Sequence, residues 1–262
     1  MNAVLIETHQ HVLVITINRP EARNAVNAAV HEGIGDALEL AEHDPEIRVV
    51  IITGAGDKAF CAGADLVAVS RGESIAPTDK AKRAWGFAGF VQHPISKPII
   101  AAVNGFALGG GTELALASDL VVAADTAKFG LPEVKRGIIA AAGGAFRIVN
   151  QLPDKIAMEI LLTGEPISAQ RALDLGFANR VVPADMLMDT ALGLANLIAS
   201  NAPLAVQASK RVAKRIADGR IPGEDQNWEA NKRENILLYK SEDAREGPLA
   251  FAQKRPPVWQ AR

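Results

Sequence analysis

Three times in the first half of this chain a β-branched strand runs into a glycine-rich loop and then into a helical face. Residues 11–18, with Val12 and Val14 among them, read as a strand that Arg19-Pro20 ends. Residues 27–44 place Val30, Ile34, Leu38 and Ala41 at helical spacing. Residues 48–53 form a short buried strand closed by Gly54-Ala55-Gly56-Asp57, and the loop Cys61-Ala62-Gly63-Ala64-Asp65 follows. Residues 70–78 are polar and hold Gly and Pro, the pattern of a mobile loop, ahead of a helix expected over 79–92. Residues 98–103 are the next strand, then come a glycine turn and a helix, then a strand over 119–123. Parallel strands need crossover connections of this kind, so the alternation predicts an α/β fold with much parallel pairing. No repeat of fixed period is strong enough for a regular solenoid.

From Gly143 onward helices dominate, over 154–162, 168–175, 184–200, 203–217 and 226–239, with Pro153, Pro166, Pro183, Pro203, Pro222 and Pro248 as punctuation. The helices after about residue 200 suggest a surface that packs on something else, self-association being the expectation. With 262 residues, 48% of them hydrophobic, the chain can bury one substantial domain plus an appendage. A formal net charge of −2 with no basic tract argues against nucleic acid. The single cysteine, Cys61, excludes an intramolecular disulfide and reads as a packed thiol. His9, His11, His31, His43 and His93 have no metal-ligand spacing, so no metal is expected. The opening residues lack the basic start and long apolar stretch of a signal peptide. The longest apolar region, 98–124, is interrupted by Asn104, Glu113, Asp119 and several glycines, so no membrane span is expected. The expectation is a soluble cytoplasmic protein.

The chemistry concentrates in Asn104-Gly105-Phe106-Ala107-Leu108-Gly109-Gly110-Gly111-Thr112-Glu113. Glycine has no Cβ, so it allows close backbone approach. Gly109 to Gly111 run into a helix whose first N–H groups have no internal acceptor, an end that attracts an anion or a polarised carbonyl oxygen. Such a site favours a reaction that builds negative charge on oxygen, each donor supplying roughly 3 kcal/mol of transition-state stabilisation. Gly63-Ala64 is the candidate for a second donor. Glu113, in the first turn, would lie beside that oxygen. Helix-dipole compensation also favours an acid there, but capping needs no triple glycine. Glu133, after Pro132, could be a surface partner of Lys135 or Arg136, a contact worth little. If the two carboxylates share a desolvated pocket, their pKa values separate into a base and an acid, which suits adding or removing water across a carbon–carbon double bond. Gly143-Gly144 before Phe146-Arg147 reads as another helix start.

The stretches Asp57-Lys58-Ala59-Phe60-Cys61-Ala62-Gly63-Ala64-Asp65-Leu66, Lys97-Pro98-Ile99-Ile100-Ala101-Ala102-Val103-Asn104-Gly105, Gly109-Gly110-Gly111-Thr112-Glu113-Leu114-Ala115 and Phe129-Gly130-Leu131-Pro132-Glu133 resemble the enoyl-CoA hydratase/isomerase (crotonase) superfamily. The likeness runs from about residue 3 to the end and includes Ser241-Glu242-Asp243-Ala244-Arg245-Glu246-Gly247. It implies a crotonase-like spiral of ββα units with the active site over 1–200. Over 201–262 it implies a helical C-terminal oligomerisation region that builds a homotrimer, often stacked as a hexamer. It implies an acyl-CoA thioester substrate, with coenzyme A part of that substrate and no separate cofactor. By motif position, the amides of Ala64 and Gly110 would form the oxyanion hole. Glu113 and Glu133 match the two catalytic glutamates of the hydratases, Glu113 mainly as base and Glu133 mainly as acid in syn hydration of a trans-2-enoyl-CoA. Contacts to CoA are implied at Ala22 and Arg23, at Ala62 and Asp65, and at Phe251 and Lys254. Glu21 stands where many relatives have Lys, and Val67 where some hydratases carry Lys, which throws the phosphate contacts onto Arg23 and Lys254.

Within that frame Trp85, Phe87 and Phe90 either line the acyl pocket or form the core face of a helix. The ending over 246–259 is also similar to carnitinyl-CoA dehydratases, whose quaternary ammonium Trp85 could face. The remaining readings are a double-bond isomerase, for which one glutamate suffices, and a non-catalytic binding scaffold, RNA-binding relatives included.

Overall fold

The structure, a computed structural model, describes residues 2–262, Ser70 by its backbone alone. β1 (Val4–His9) turns through Gln10 and His11 into β2 (Val12–Ile17), and α1 (Ala28–His43) leads to β3 (Val49–Gly54). From there each turn of the chain places one strand in a large sheet, the next in a small sheet, then a helix. β3 is followed by β4 (Ala59–Cys61) and the short α2 (Leu66–Ser70) and α3 (Lys80–Arg83). β5 (Ile99–Val103) is followed by β6 (Phe106–Leu108) and α4 (Gly110–Ala117). β7 (Leu120–Ala124) is followed by β8 (Lys128–Gly130), α5 (Gly144–Gln151) and α6 (Asp154–Thr163). β9 (Ile167–Ser168), α7 (Ala169–Asp174) and β10 (Arg180–Val182) close the series. The large sheet runs β1-β2-β3-β5-β7-β10 and the small one β4-β6-β8-β9. Among these strands of the described residues, β1–β2 and β8–β9 pair antiparallel and the others parallel. This is the α/β spiral of ββα units that the motifs implied.

The inner strands of the large sheet are covered on both sides, which explains why they read as continuous apolar runs. Alternate residues face opposite ways along a strand. Val49 and Ile51 of β3, with Ile100 and Ala102 of β5, meet Leu187, Ala191, Ala195 and Ala199 of α8 (Leu187–Ala199), a stripe at i, i+4 spacing. Val50 and Ile52, with Ala101 and Val103, face the main core, where α1 contributes Val30, Ile34, Leu38 and Ala41.

Three further helices, α9 (Pro203–Lys214), α10 (Asp225–Leu238) and α11 (Asp243–Ala252), end the chain. α9 and α10 bury no residue completely, and Leu204 and Val212 are 75% and 79% exposed. Among the described residues no helix is long and apolar enough to cross a membrane, and no three His, Cys, Asp or Glu side chains group as metal ligands.

Local readings change in several places, the short strands β4, β6, β8, β9 and β10 being additions to the strands expected. The helix expected over 79–92 is only α3 plus a 3-10 turn over Phe87–Gly89. Gly86, Ala88 and Gly89 have φ of +75°, +59° and +65°, and a Cβ on Gly89 would collide with the His31 carbonyl of α1. The polar stretch 70–78 begins one residue later than read, because Asp65 caps α2 by accepting from the Ala68 amide at 3.0 Å. β1 escapes the sequence reading because five of its six residues are exposed, as an edge strand allows.

Candidate active site

The site is built around the head of α4, and each of its three glycines makes room for a different neighbour. Gly109 has φ +56°, and a Cβ there would lie 2.9 Å from Glu133 Oε1. A Cβ on Gly110 would run into the Phe87 ring, and one on Gly111 into the Cys61 carbonyl. The loop carrying Ala64 is held against this head, since a Cβ on Gly63 would lie 3.2 Å from the Gly110 nitrogen. Val26 N–H donates to the Gly63 carbonyl and Asp65 N–H donates to the Val26 carbonyl, so the Ala64 amide between them is left out of the bridge. Gly110 N–H is the first of the helix and has no internal acceptor. Neither amide has a hydrogen-bond acceptor among the described residues. Two N–H groups without acceptors thus lie on neighbouring turns of the spiral, the kind of donors that could hold an oxyanion.

Glu113 is 3% exposed, and its Oε1 accepts from the Gly144 amide at 2.8 Å. The Gly143-Gly144 helix start is therefore a holder for this carboxylate. Gly143 has φ +100°, and a Cβ on Gly144 would press on Glu113 Oε1 at 2.9 Å. Glu133 lies in a 3-10 turn over Pro132–Arg136. It does not pair with its basic neighbours: Lys135 Nζ bonds Glu165 at 2.6 Å, and the Arg136 guanidinium sits 4.1 Å from the Phe251 ring. Glu133 Oε2 is buried with no hydrogen-bond partner. An unpaired buried oxygen is costly, and such an atom marks a place where a polar ligand belongs.

Both carboxyls are pushed well above the ordinary glutamate range. Burial is the first cause for each. For Glu113 the charge of Glu133 adds to it, while the Gly144 and Ala142 amides and the Arg147 guanidinium oppose it. Two such groups titrate as a pair rather than singly, and together they hold a proton more readily than exposed carboxyls do. Burial also pushes the Cys61 thiol up to about 12, which removes it as a nucleophile.

The residues expected around CoA fall into two groups. Ala22 ends a 3-10 turn, Arg23 follows it exposed with φ +53°, and the Arg23 carbonyl accepts from the Ala62 amide at 3.1 Å, so these three share one rim. Asp65 is nearby but occupied, pairing with Arg19 at 2.9 Å and capping α2. Phe251 and Lys254 belong to α11 and the turn after it, and α11 packs on the turn that carries Glu133. Of the aromatic trio, Phe87 abuts Gly110 and Phe90 is a core residue. Trp85 is stacked on His93 at 4.6 Å, with Gly35 of α1 flat against its edge.

The reading by sequence missed Arg147, Glu224, Trp228 and Asn231. All four bear on the segment that holds Glu113. The signal was a lone tryptophan in the polar first half of α10.

The model of the enoyl-CoA hydratase/isomerase family matches residues 7–262. A carnitinyl-CoA dehydratase from Proteus mirabilis (strain HI4320) is 45% identical, with 98% of each chain covered. The crystal structure of a carnitinyl-CoA hydratase from Mycobacterium avium is 61% identical over the whole of both chains, with a TM-score of 0.97. That of an enoyl-CoA hydratase from Mycobacterium tuberculosis H37Rv is 43% identical over the whole of both chains, with a TM-score of 0.77.

Proposed function

The chain belongs to the enoyl-CoA hydratase/isomerase family, and from that premise we propose that it is an enoyl-CoA hydratase, adding water across the 2,3 double bond of a trans-2-enoyl-CoA to give the 3-hydroxyacyl-CoA. The observation that carries this reading is the buried Glu113 carboxyl and the half-buried Glu133, with its unpartnered Oε2, beside two amides that have no acceptor. A water held between the carboxyls attacks C3 while Glu113 takes its proton. The electron pair of the double bond moves toward the thioester oxygen, held by the Ala64 and Gly110 amides. Glu133 gives its proton to C2. Proton exchange between the two carboxyls then restores the starting state. Moving a double bond needs only one acid–base group, so a second buried acid favours hydration over isomerisation.

CoA in this reading lies along the rim of Ala22, Arg23 and Ala62, with Arg23 available to its phosphates and Asp65 shaping the loop through Arg19. Phe251 and Lys254 approach it from α11. Residues 201–262 carry the self-association surface, as a homotrimer or hexamer, with Leu204 and Val212 among its apolar contacts.

A second reading has the same chemistry acting on a carnitinyl-CoA, and the names of the relatives at 45% and 61% identity favour it. Trp85 is poorly placed for the ammonium, since His93 covers one of its faces. Loss of enoyl-thioester absorbance with crotonyl-CoA, crotonobetainyl-CoA and longer enoyl-CoAs separates the two readings. Glu113→Gln and Glu133→Gln each lower turnover about 100-fold or more on the preferred substrate. Near-normal hydration by the Glu133 variant would sink the acid–base assignment.

A further inference from the structure

α10 reads as a polar helix with no fully buried residue, yet its start grips the segment that holds Glu113. Glu224, just before it, binds Arg147 of α5 with both oxygens, Nε to Oε1 at 2.9 Å and Nη2 to Oε2 at 2.6 Å. Arg147 Nη2 also donates to the Val91 carbonyl at 2.8 Å. Trp228 Nε1 donates to Glu224 Oε2 at 3.2 Å, and its ring meets Phe146 edge-on at 4.9 Å. The same ring would touch a Cβ on Gly143 at 3.1 Å. Asn231 Nδ2 donates to the Ala141 carbonyl at 2.7 Å. Residues 224, 228 and 231 are about one turn apart, so one helix face holds 141–147 in three places. Within that stretch lies Gly144, whose amide binds Glu113.

We propose that this grip, through the Arg147–Glu224 pair, sets where Glu113 sits, making Arg147 and Glu224 positioning residues for the hydration step. The proposal rests on the reading of Glu113 as half of the acid–base pair. Arg147 is 7% exposed, and its Nη1 is buried without an acceptor, 3.2 Å from where a Cβ on Gly143 would be. That is a poor arrangement for a group whose only task is to join two helices. The charged groups acting on Glu113 are Glu133 from the 132–136 turn and Arg147 from α5, with the Cys61 thiol of β4 also close and Glu224 behind Arg147. Arg147 is the cation of this set. It favours the ionised base, while Glu224 fixes its direction.

The test is the double variant R147M/E224Q, which removes both charges and leaves neither uncompensated in the interior. On whichever of crotonyl-CoA and crotonobetainyl-CoA is turned over, kcat falls at least tenfold with KM changed less than threefold. The acid limb of the kcat–pH profile moves to higher pH, because the cation that favoured ionised Glu113 is gone. A folded double variant with wild-type kcat and an unmoved limb overturns the proposal. Asn231→Ala loosens the same grip and keeps both charges, so it serves if the double variant does not fold. Its kcat falls severalfold with the limb unmoved, and wild-type kcat there overturns the proposal equally. Glu113→Gln run alongside separates the two claims. If that variant stays active, the acid–base reading fails. If it is inactive while the others behave as wild type, only the positioning role fails.

Discussion

At Gly110 and Gly111 a single methyl group distinguishes stability from catalysis. Alanine at 111 collides with a backbone carbonyl, Cys61 C=O, which cannot swing away. Gly111→Ala should cost about 3 kcal/mol, as overpacking of a rigid site does, read as a lowered midpoint in urea. Alanine at 110 meets the end of the Phe87 side chain, which can swing aside about χ1, and lies 3.2 Å from the Gly63 Cα. Gly110→Ala should fold with near-normal stability but lose about 100-fold in kcat, because the oxyanion amide moves. Glu133 gives the opposite trade. Its carboxyl titrates higher in the folded protein than in the unfolded chain, so the folded state holds the extra proton. Stability is full below the ordinary glutamate range and is lost as pH rises through the raised value. Glu133→Gln should therefore melt higher than wild type at pH 8, by roughly 2 kcal/mol of stability, with little difference at pH 5, while being inactive. Equal melting shifts at the two pH values would contradict the burial of that charge.

Among the elements, α11 is to Glu133 what α10 is to Glu113. A Cβ on Gly247 would strike the Arg136 carbonyl, and one on Gly137 the Asp243 carbonyl, so helix and turn meet backbone to backbone. The Arg136 guanidinium over Phe251 closes the same contact. The Glu246–Arg255 pair, with the Val258 amide on the same carboxylate, ties down the chain beyond the helix. Gly247→Ala must push the turn off the helix. It should lower kcat at least tenfold and cost about 2 kcal/mol, measured by steady-state kinetics and urea unfolding together. A variant with lost stability but full kcat would mean that the turn keeps its shape without α11.

For the whole molecule, the spiral gathers the Ala64 loop, the head of α4, the 132–136 turn and the start of α5 into one place. The exposed Leu204 and Val212 of α9, with Ile236 and Leu237 at the end of α10, fit a molecule that self-associates, and sedimentation should give three or six times the chain mass; a monomer at micromolar concentration would contradict that. The inner strands of the large sheet, β2, β3, β5 and β7, were legible because strands buried on both faces must be apolar throughout. The head of α4 was legible because nothing but close approach calls for three glycines before an acid. Glu133 could be read only through its resemblance to the family, since one acid beside two bases looks like a solvated turn until burial is known. The short strands of the small sheet and the break after Arg83 depend on what packs against them, as Gly89 does on the His31 carbonyl. The grip of α10 was beyond sequence reading, because Glu224 and Arg147 are 77 residues apart and each is ordinary until folding makes them neighbours. Sequence thus determined the backbone chemistry, which is local: strands, glycine turns and helix ends. Tertiary structure alone decided the electrostatics, because a carboxyl's pKa and a guanidinium's role depend on burial and on charges brought from distant segments.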